Sequence, residues 1–545
     1  MFRNQLGQDI FNGKYRNAAG KCGTWADMAG TLTKELIGCS SRIDKSKFEP
    51  VTRSIIEGKF CPAGRYIYYA GREKKFIKNC YAFRGKDSRE GWAELTYKHM
   101  LSLMSGGGCG TLYSDIRAAG ELIKKTGGFA SGPISLMHGI NELGRNVKQG
   151  GSRRSALWAG LHWWHKDIGQ FINSKVYTEE QKLAKMHDFD TPLPLDMTNI
   201  SVVFDPKWFD YIMWPEHTPE YQDAYRILLR TVERAVIDGE PGLLFSYLVA
   251  HELANACTEF RSSWDSDSCN LGSVNMSRIS SLDEFAEIVK QGSEFLTLGS
   301  LRADLPTQDF SSVVREHRAI GLGLTGVHEW LIRRGYGYEV VPELHQWLQV
   351  YRDVSKEAAL KMAHYLQISE PERFRCIAPA GTISMMLGTS AGIGPIYSKA
   401  MLRRYLNGDK WVEKVLVDPT IEHLFKDGID VDGVETSAEV LKHNPEQCIK
   451  FIADVQQYVD MGISTTVHLP ANNSPAYARK LSKTILKYVK NLTGLTFYPD
   501  GSRYGQPIEA IPFKPEHVIK GLAQCTEEDA DILASKLCKE GSCSL

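Results

Sequence analysis

Asn255-Ala256-Cys257-Thr258-Glu259 sets a carboxamide, a thiol and a carboxylate at alternate positions, separated by two smaller residues. In an extended segment alternate side chains face the same way, so the three groups would converge on one ligand. They would offer it a hydrogen-bond donor, a reactive sulfur and a general base. The same five residues also read as a buried cysteine flanked by surface polar groups, and a pattern this short supports both. Further cysteines lie in Ser268-Cys269-Asn270-Leu271-Gly272 downstream and in Lys78-Asn79-Cys80-Tyr81 upstream. Each of these, taken alone, reads as a small buried hydrophobe.

The chain around these segments has an α/β texture. From about Cys61 onward, short apolar runs alternate with longer amphipathic ones and with glycine clusters. The sharpest clusters are Ser105-Gly106-Gly107-Gly108-Cys109-Gly110 and Lys148-Gln149-Gly150-Gly151-Ser152-Arg153-Arg154. Tyr351, Val354, Ala358, Met362 and Tyr365 recur at helical spacing. Ile463 to Leu469 and Leu495 to Tyr498 read as short strands, closed by Pro470 and Pro499. The first sixty or so residues read as mostly helical, and no internal repeat is visible.

Composition narrows the function classes. With 545 residues, 43% apolar and 24% charged, the chain is globular and large enough for several domains or one large α/β unit. Lys plus Arg and Asp plus Glu are both 65, so no global field exists to hold a long nucleic acid or an anionic membrane. No apolar run is long enough to span a bilayer and the start lacks a signal-peptide stretch, so a cytoplasmic location is expected. Twelve cysteines are too sparse for a disulfide scaffold, and no paired CxxC set predicts a closed zinc site. No metal is expected. Near the end, Thr526-Glu527-Glu528-Asp529 reads as a helix cap. It is followed by a small polar tail in which Cys538 and Cys543 suit metal binding or dithiol exchange.

Several further segments then fall in a definite order. Cys61-Pro62-Ala63-Gly64-Arg65 comes first, with Asn79-Cys80-Tyr81 after it, then Thr126-Gly127-Gly128-Phe129-Ala130-Ser131-Gly132-Pro133 and the Lys148 to Arg154 loop. Gly239-Glu240-Pro241-Gly242-Leu243-Leu244-Phe245 precedes the Asn255 segment. Ile320-Gly321-Leu322-Gly323-Leu324-Thr325-Gly326, Pro379-Ala380-Gly381-Thr382-Ile383-Ser384 and Phe497-Tyr498-Pro499-Asp500-Gly501-Ser502-Arg503 follow, and the cysteine pair closes the series. This ordered set resembles the catalytic subunit of ribonucleotide reductases, most closely the adenosylcobalamin-dependent class II enzymes.

The resemblance implies a ten-stranded α/β barrel of two five-stranded parallel halves, with Cys257 on a central finger loop. Residues 1–60 would form a helical N-terminal region, 61–514 the barrel and 515–545 a flexible redox tail. Cys257 would carry a thiyl radical that takes the ribose 3′-hydrogen, with Glu259 accepting the 3′-hydroxyl proton and Asn255 orienting the sugar. Cys80 and Cys269 would give two electrons and become a disulfide, which needs their Cα atoms within about 7 Å. Cys538 and Cys543 would restore that dithiol and then be reduced by a thioredoxin- or glutaredoxin-like partner. Gly381, Thr382, Ile383 and Ser384 would hold substrate phosphate. Gly150, Gly151, Ser152, Arg153 and Arg154 would form the loop between substrate and a nucleoside triphosphate effector. The substrate is a nucleotide, and the assembly a monomer or homodimer.

Departures from the family pattern are equally specific. Ala256 and Thr258 stand where class II enzymes usually carry Pro and Gly, and Gly392-Ile393-Gly394-Pro395 has glycine where a glutamate is common. The N-terminus is too short for an ATP cone, so overall activity control by ATP and dATP is not expected. Class I subunits carry two adjacent tyrosines near the C-terminal strand, whereas this chain reads Phe497-Tyr498-Pro499. Proline cannot relay a radical, which favours cobalamin. The alternatives are a class I-like large subunit served by a separate di-metal subunit and, more remotely, a non-catalytic nucleotide-binding protein. Glycyl-radical enzymes share the barrel, but Lys539-Glu540-Gly541-Ser542-Cys543 does not match their motif. The remaining cysteines, Cys22, Cys39, Cys61, Cys109, Cys376, Cys448 and Cys525, are assigned to packing, Cys109 least securely.

Overall fold

Thr24 opens the longest helix of the N-terminal region. Its hydroxyl accepts from the Asp27 N–H while the Asp27 carboxylate accepts from the Thr24 N–H, a reciprocal cap for helix Trp25–Ile37. Trp25, Met28, Ala29, Leu32 and Leu36 form its buried face, spaced three and four apart. Helix Glu49–Glu57 follows and stops at Gly58, whose φ of 71° is the left-handed conformation of a helix end. The expected helical start is present. The computed structural model describes residues 1–124, 127–147, 155–187, 191–268, 270–407, 410–471, 474–502 and 508–520. They divide into two units, one of residues 1–79, 270–461 and 508–520, the other of residues 80–268 and 462–502. Strands are numbered in chain order.

In the first unit β1 (Phe60–Pro62) pairs antiparallel with β10 (Leu271–Asn275), which runs parallel to β11 (Gly321–Thr325). A parallel bridge joins Leu322 to Arg375. Helices Leu282–Gly299 and Pro342–Leu366 pack together in this unit. The second contains the periodic segment expected to be helical, and Tyr351, Ala358 and Met362 lie on its buried face. The stripe nevertheless runs one residue differently at its end, where Leu366 is buried and Tyr365 is 44% exposed. The buried face also takes in Ser355, Ala359 and Ala363, each one position on from Val354, Ala358 and Met362, so the stripe is centred nearer Leu366 than Tyr365. A second antiparallel sheet comprises β12 (Ala400–Asn407), β13 (Lys410–Val417) and β16 (Ile508–Ile511).

The second unit is built on five parallel strands in sequence order. They are β2 (Cys80–Arg84), β3 (Gly108–Leu112), β4 (Leu157–His162), β5 (Thr198–Phe204) and β6 (Gly242–Phe245). Nearly every residue of these strands is buried, as a sheet covered on both faces requires. Parallel neighbours need long crossovers, here carried by helices such as Arg89–Met104, Gly132–Asn146 and Pro219–Asp238. The last is typical: Thr218 caps it, Pro219 opens it, and Gly239 ends it at φ 78°. Ala224, Ile227, Leu228, Thr231, Val232, Ala235 and Val236 form its buried stripe. Antiparallel to β6 lies β15 (Gly494–Pro499), itself parallel to β14 (Thr466–Leu469). Both match the short strands expected before Pro470 and at Pro499, although β14 begins at Thr466 rather than Ile463. Among the described residues no helix is long and apolar enough to cross a membrane.

Candidate functional site

The Asn255 segment is a hairpin tip rather than an extended strand. β7 (Leu253–Ala254) and β8 (Arg261–Ser262) pair antiparallel, with Ala254 opposite Arg261. Between them the chain turns, with the Thr258 N–H donating to the Asn255 carbonyl at 3.1 Å and the Asn255 N–H to the Phe260 carbonyl at 3.3 Å. Thr258 has φ 65°, a left-handed conformation rare for a β-branched residue. A glycine is the usual solution here, and the threonine keeps the same geometry under strain. Alternation therefore does not bring the polar groups together; the turn does. The Asn255 Nδ2 donates to Glu259 Oε1 at 2.8 Å, and Asn255 Oδ1 accepts from the Phe260 N–H at 3.2 Å.

Two glycines distant in sequence admit this hairpin. A β-carbon at Gly110 on β3 would lie 2.1 Å from the Ala254 carbonyl oxygen and 2.8 Å from that of Asn255. One at Gly462 would lie 2.6 Å from the Thr258 carbonyl oxygen, and the Gly462 N–H donates to the Glu259 carbonyl at 2.7 Å. Gly108 does a related job for the thiols. A β-carbon there would meet Ala256 Cβ at 3.0 Å and Cys80 Sγ at 3.1 Å, so Cys80 and the loop tip close over a bare glycine.

The electrostatics are those of a dry site. Glu259 is fully buried, and its Oε2 has no hydrogen-bond partner among the described residues. Burial first, and the neighbouring Cys80 second, push its carboxyl up to about 8 against the pull of Asn255 and Arg261. Cys80 is fully buried and Cys257 is 8% exposed. Thr258 is the half-exposed member of the tip. The structure thus brings Asn255, Cys257, Glu259 and Cys80 together within one unit. Cys269 lies outside the described residues, as do Gly150, Gly151, Ser152, Arg153, Arg154, Cys538 and Cys543. Its chain neighbour Ser268, on β9 (Asp267–Ser268), sits antiparallel opposite Tyr81, the residue after Cys80.

The Pro379 to Ser384 turn belongs to the other unit. Ala380 has φ 51° and precedes the short helix Gly381–Leu387. The Ser384 N–H donates to the Ala380 carbonyl, and its hydroxyl to the Gly381 carbonyl at 2.9 Å. The Thr382 hydroxyl is buried with no hydrogen-bond partner among the described residues. Ala380 and Ile383 line a small cavity with Ala378, Cys61, Ala63 and Ser273. Gly392, in the Gly392-Ile393-Gly394-Pro395 stretch, has φ 55°, and a β-carbon there would lie 3.1 Å from the Ala378 carbonyl oxygen.

Most of the cysteines assigned to packing are buried: Cys22, Cys61, Cys109, Cys376 and Cys448. Cys39 is only partly buried, and Cys525 lies outside the described residues. Cys109, on β3 opposite Tyr81, has its thiol held well above the ordinary value by burial. That is the state of an inert core thiol. Sequence reading missed Gly108, Gly110, Gly462 and Arg261. Gly108 and Gly110 lie in the Ser105 to Gly110 cluster, yet neither that cluster nor Gly462 shows in sequence that it faces the hairpin, and Arg261, between Phe260 and Ser262, carries no sign of its burial.

These features define a mixed α/β protein with a cysteine at the tip of a hairpin. Residues 78–197, 248–361 and 372–498 match the family described as ribonucleotide reductase, barrel domain, and the chain belongs to that family. Among its relatives is a vitamin B12-dependent ribonucleoside-diphosphate reductase of Thermoplasma acidophilum, 28% identical over 85% of this chain and 66% of that one. A vitamin B12-dependent ribonucleoside-diphosphate reductase of Mycobacterium tuberculosis is 26% identical over 92% of this chain and 78% of its own length. A solved structure, the Actinobacillus ureae class Id ribonucleotide reductase alpha subunit, superposes with a TM-score of 0.70. It covers 92% of this chain and 97% of that one at 17% identity, a likeness of fold.

Proposed function

We propose that this chain reduces ribonucleotides to 2′-deoxyribonucleotides by thiyl-radical chemistry, for DNA precursor synthesis, with adenosylcobalamin as its radical source. The observation that carries the reading is the Asn255–Glu259 hydrogen bond across a tight turn that holds Cys257, packed over Cys80. A thiyl radical on Cys257 takes the ribose 3′-hydrogen, Glu259 accepts the 3′-hydroxyl proton, the 2′-hydroxyl leaves as water on a proton from the Cys80 and Cys269 dithiol, and Cys257 finally returns the hydrogen to C3′. Asn255 holds the Glu259 carboxylate and orients the sugar. Cys80 and Cys269 supply two electrons and close a disulfide, a pairing supported by the Tyr81–Ser268 register beside them. Cys538 and Cys543 reopen it by exchange, and a thioredoxin- or glutaredoxin-like protein reduces them in turn.

The phosphate falls to Gly381, Thr382, Ile383 and Ser384. Thr382 offers a buried hydroxyl with no partner among the described residues, the state of a donor that a ligand completes. The loop Gly150 to Arg154 couples the substrate base to a nucleoside triphosphate effector. The catalytic barrel spans 61–514, between the helical region 1–60 and the redox tail 515–545, in a cytoplasmic enzyme that is a monomer or homodimer and needs neither nucleic acid nor membrane.

Bound adenosylcobalamin supplies, on homolysis, a carbon radical able to oxidise a thiol. The donor side fits that group. Cys257 is 8% exposed at the turn of the hairpin, approachable yet dry. At the end of β15, Tyr498 is followed by Pro499, opposite Leu469, so the second tyrosine of a protein relay is missing. The B12-dependent names of the relatives favour the same reading over a class I-like subunit. The test is deoxyribonucleotide formation from CDP or CTP with dithiothreitol, with and without adenosylcobalamin. Turnover that requires the cofactor and disappears in Cys257→Ala supports the proposal. Absence of turnover with cobalamin sinks it and redirects the search to a metal-bearing partner subunit.

A further inference from the structure

Residues 1–10 converge on the end of helix Gly381–Leu387. The Arg3 Nη1 donates to the Gly388 carbonyl at 3.0 Å. Gly7, buried on helix Gln5–Ile10, lies so close that a β-carbon there would sit 2.3 Å from the Met386 carbonyl oxygen. Arg278 ties the Met1 and Leu387 carbonyls together, its Nη2 donating to them at 2.7 and 3.0 Å. The segment making these contacts is itself held: Asn4 accepts from the Gly7 N–H at 3.0 Å, and the Phe2 ring packs on Phe11 and Trp25.

The last carbonyls of a helix have no partner within it, and cations are favourable beside them. Here two arginines meet them. A helix of two turns does not hold itself in place, so its position is set by what touches its ends. Thr382 stands about 7.5 Å along the axis from Leu387. Every residue of this helix is buried, and a body so short transmits a shift at one end to the other.

Arg3 is the fixed point of this arrangement. The same Nη1 also donates to both Glu329 oxygens, at 2.7 and 2.8 Å. Glu329 is fully buried and accepts in addition from Arg333 Nε at 2.8 Å and from the Thr389 hydroxyl at 2.6 Å. That carboxylate therefore has a cationic partner without Arg3. What Arg3 adds is the link from Glu329 to Gly388. Gly388 is bare where the side chain passes: a β-carbon there would meet Arg3 Cβ at 3.2 Å.

We propose that Arg3 is a positioning residue for substrate phosphate: by joining buried Glu329 to the Gly388 carbonyl it fixes the end of helix Gly381–Leu387, and with it the place where Thr382 meets the phosphate. The proposal rests on reading Gly381 to Ser384 as the phosphate site. Arg3 touches no substrate atom and acts through the helix alone.

The test measures binding of CDP and CTP to the full chain by equilibrium dialysis, with KM and kcat for the nucleotide that binds. Arg3→Met is expected to weaken binding by about tenfold, the worth of one charge-assisted hydrogen bond whose donor is out of place. KM should rise in parallel and kcat change little. Arg3→Lys should restore both, because all three contacts come from one nitrogen and an ammonium carries three donors. Combined with Thr382→Ala, Arg3→Met should add less than its separate effect, since both act on one turn. Native binding in Arg3→Met, a lower kcat with KM unchanged, a lysine variant as weak as the methionine one, or effects that multiply in full each overturn the proposal. Should Arg3→Met fail to fold, Gly7→Ala decides, since it presses on the same end of the helix: weaker binding supports the role and native binding refutes it. A chain that binds neither nucleotide, or a Thr382→Ala variant that binds as the native chain does, breaks the phosphate reading itself. Thr382→Ala weakened beside an unaffected Arg3→Met breaks the role of Arg3 alone.

Discussion

The hairpin tip and the Pro379 to Ser384 turn solve the same backbone problem and leave their polar groups in opposite states. Each forces a non-glycine residue into the left-handed region, Thr258 at φ 65° and Ala380 at φ 51°. At the tip, Asn255 bonds both Glu259 and the Phe260 backbone, so much of the polar chemistry is tied internally. At the turn, Thr382 buries a hydroxyl with no partner among the described residues. Preorganisation of a reacting group and reservation of a site for a ligand thus look different in hydrogen bonding even where the backbone is alike. Mutations should separate the two: tip variants should change chemistry and stability together, and turn variants chiefly substrate affinity.

The largest effect is expected at Glu259. Glu259→Gln removes the base and should lower kcat by about 10²- to 10⁴-fold with KM little altered, measured as deoxyribonucleotide formation at saturating substrate. In the native enzyme kcat should rise with pH through about 8, as the carboxyl ionises. The same shift has the opposite sign for stability. A carboxyl raised from 4.5 to about 8 leaves the folded chain holding the extra proton between those values, so stability falls as pH rises through that window. Glu259→Gln should abolish this loss, and urea unfolding at pH 6 and pH 9 would reveal it. A variant as pH-sensitive as the native chain would place the raised group elsewhere.

Gly110→Ala comes next. Its β-carbon would sit 2.1 Å from a backbone carbonyl that cannot swing aside, so either the hairpin moves or the sheet does. A cost of roughly 3 kcal/mol is expected, with activity lost out of proportion to the stability change. A fully active Gly110→Ala would mean that the tip tolerates displacement, and the contrast between a locked tip and an open turn would fall.

Asn255→Ala and Thr382→Ala test the contrast most directly. The first strands a Glu259 oxygen and the Phe260 N–H and should destabilise by about 1–3 kcal/mol. The second removes a hydroxyl with no hydrogen-bond partner among the described residues, so it should leave the melting temperature unchanged. It should instead raise KM by about tenfold, the value of one hydrogen bond of about 1.4 kcal/mol to an anionic ligand. A drop in stability for Thr382→Ala would show that the hydroxyl serves the fold.

Much of this was legible in the sequence because radical chemistry depends on a few side chains of fixed type. Cysteine, asparagine and glutamate announce themselves within five residues, and β-branched or apolar runs between glycine clusters mark the strands. The means of holding those groups was not legible. Gly110 and Gly462 lie on either side of the hairpin in sequence, and only the closed fold shows that each makes room for it. Alternation suggested an extended segment, whereas the side chains meet because the chain turns back on itself. Arg261 carries no sign of burial in the sequence and is 1% exposed. Tertiary packing overrides local preference where a site is assembled, which is where a reading from one strand of text is weakest.

The smallest effect concerns the strained residues themselves. A β-branched side chain in the left-handed region costs of order 1 kcal/mol, which glycine would not incur. Glycine also enlarges the freedom of the unfolded chain and gives part of that back. Thr258→Gly should therefore raise stability by about 0.5 kcal/mol, and Ala380→Gly by no more, since alanine is less crowded there. The two differ in what they do to turnover. Thr258 lies between the thiol and the base, and a looser tip should lower kcat even as the fold gains stability. Ala380→Gly should show its cost in KM. If both variants instead gain stability with unchanged kinetics, the left-handed turns are solutions to chain reversal alone, and the restraint on the catalytic groups lies in Gly110, Gly462 and the Asn255 hydrogen bonds.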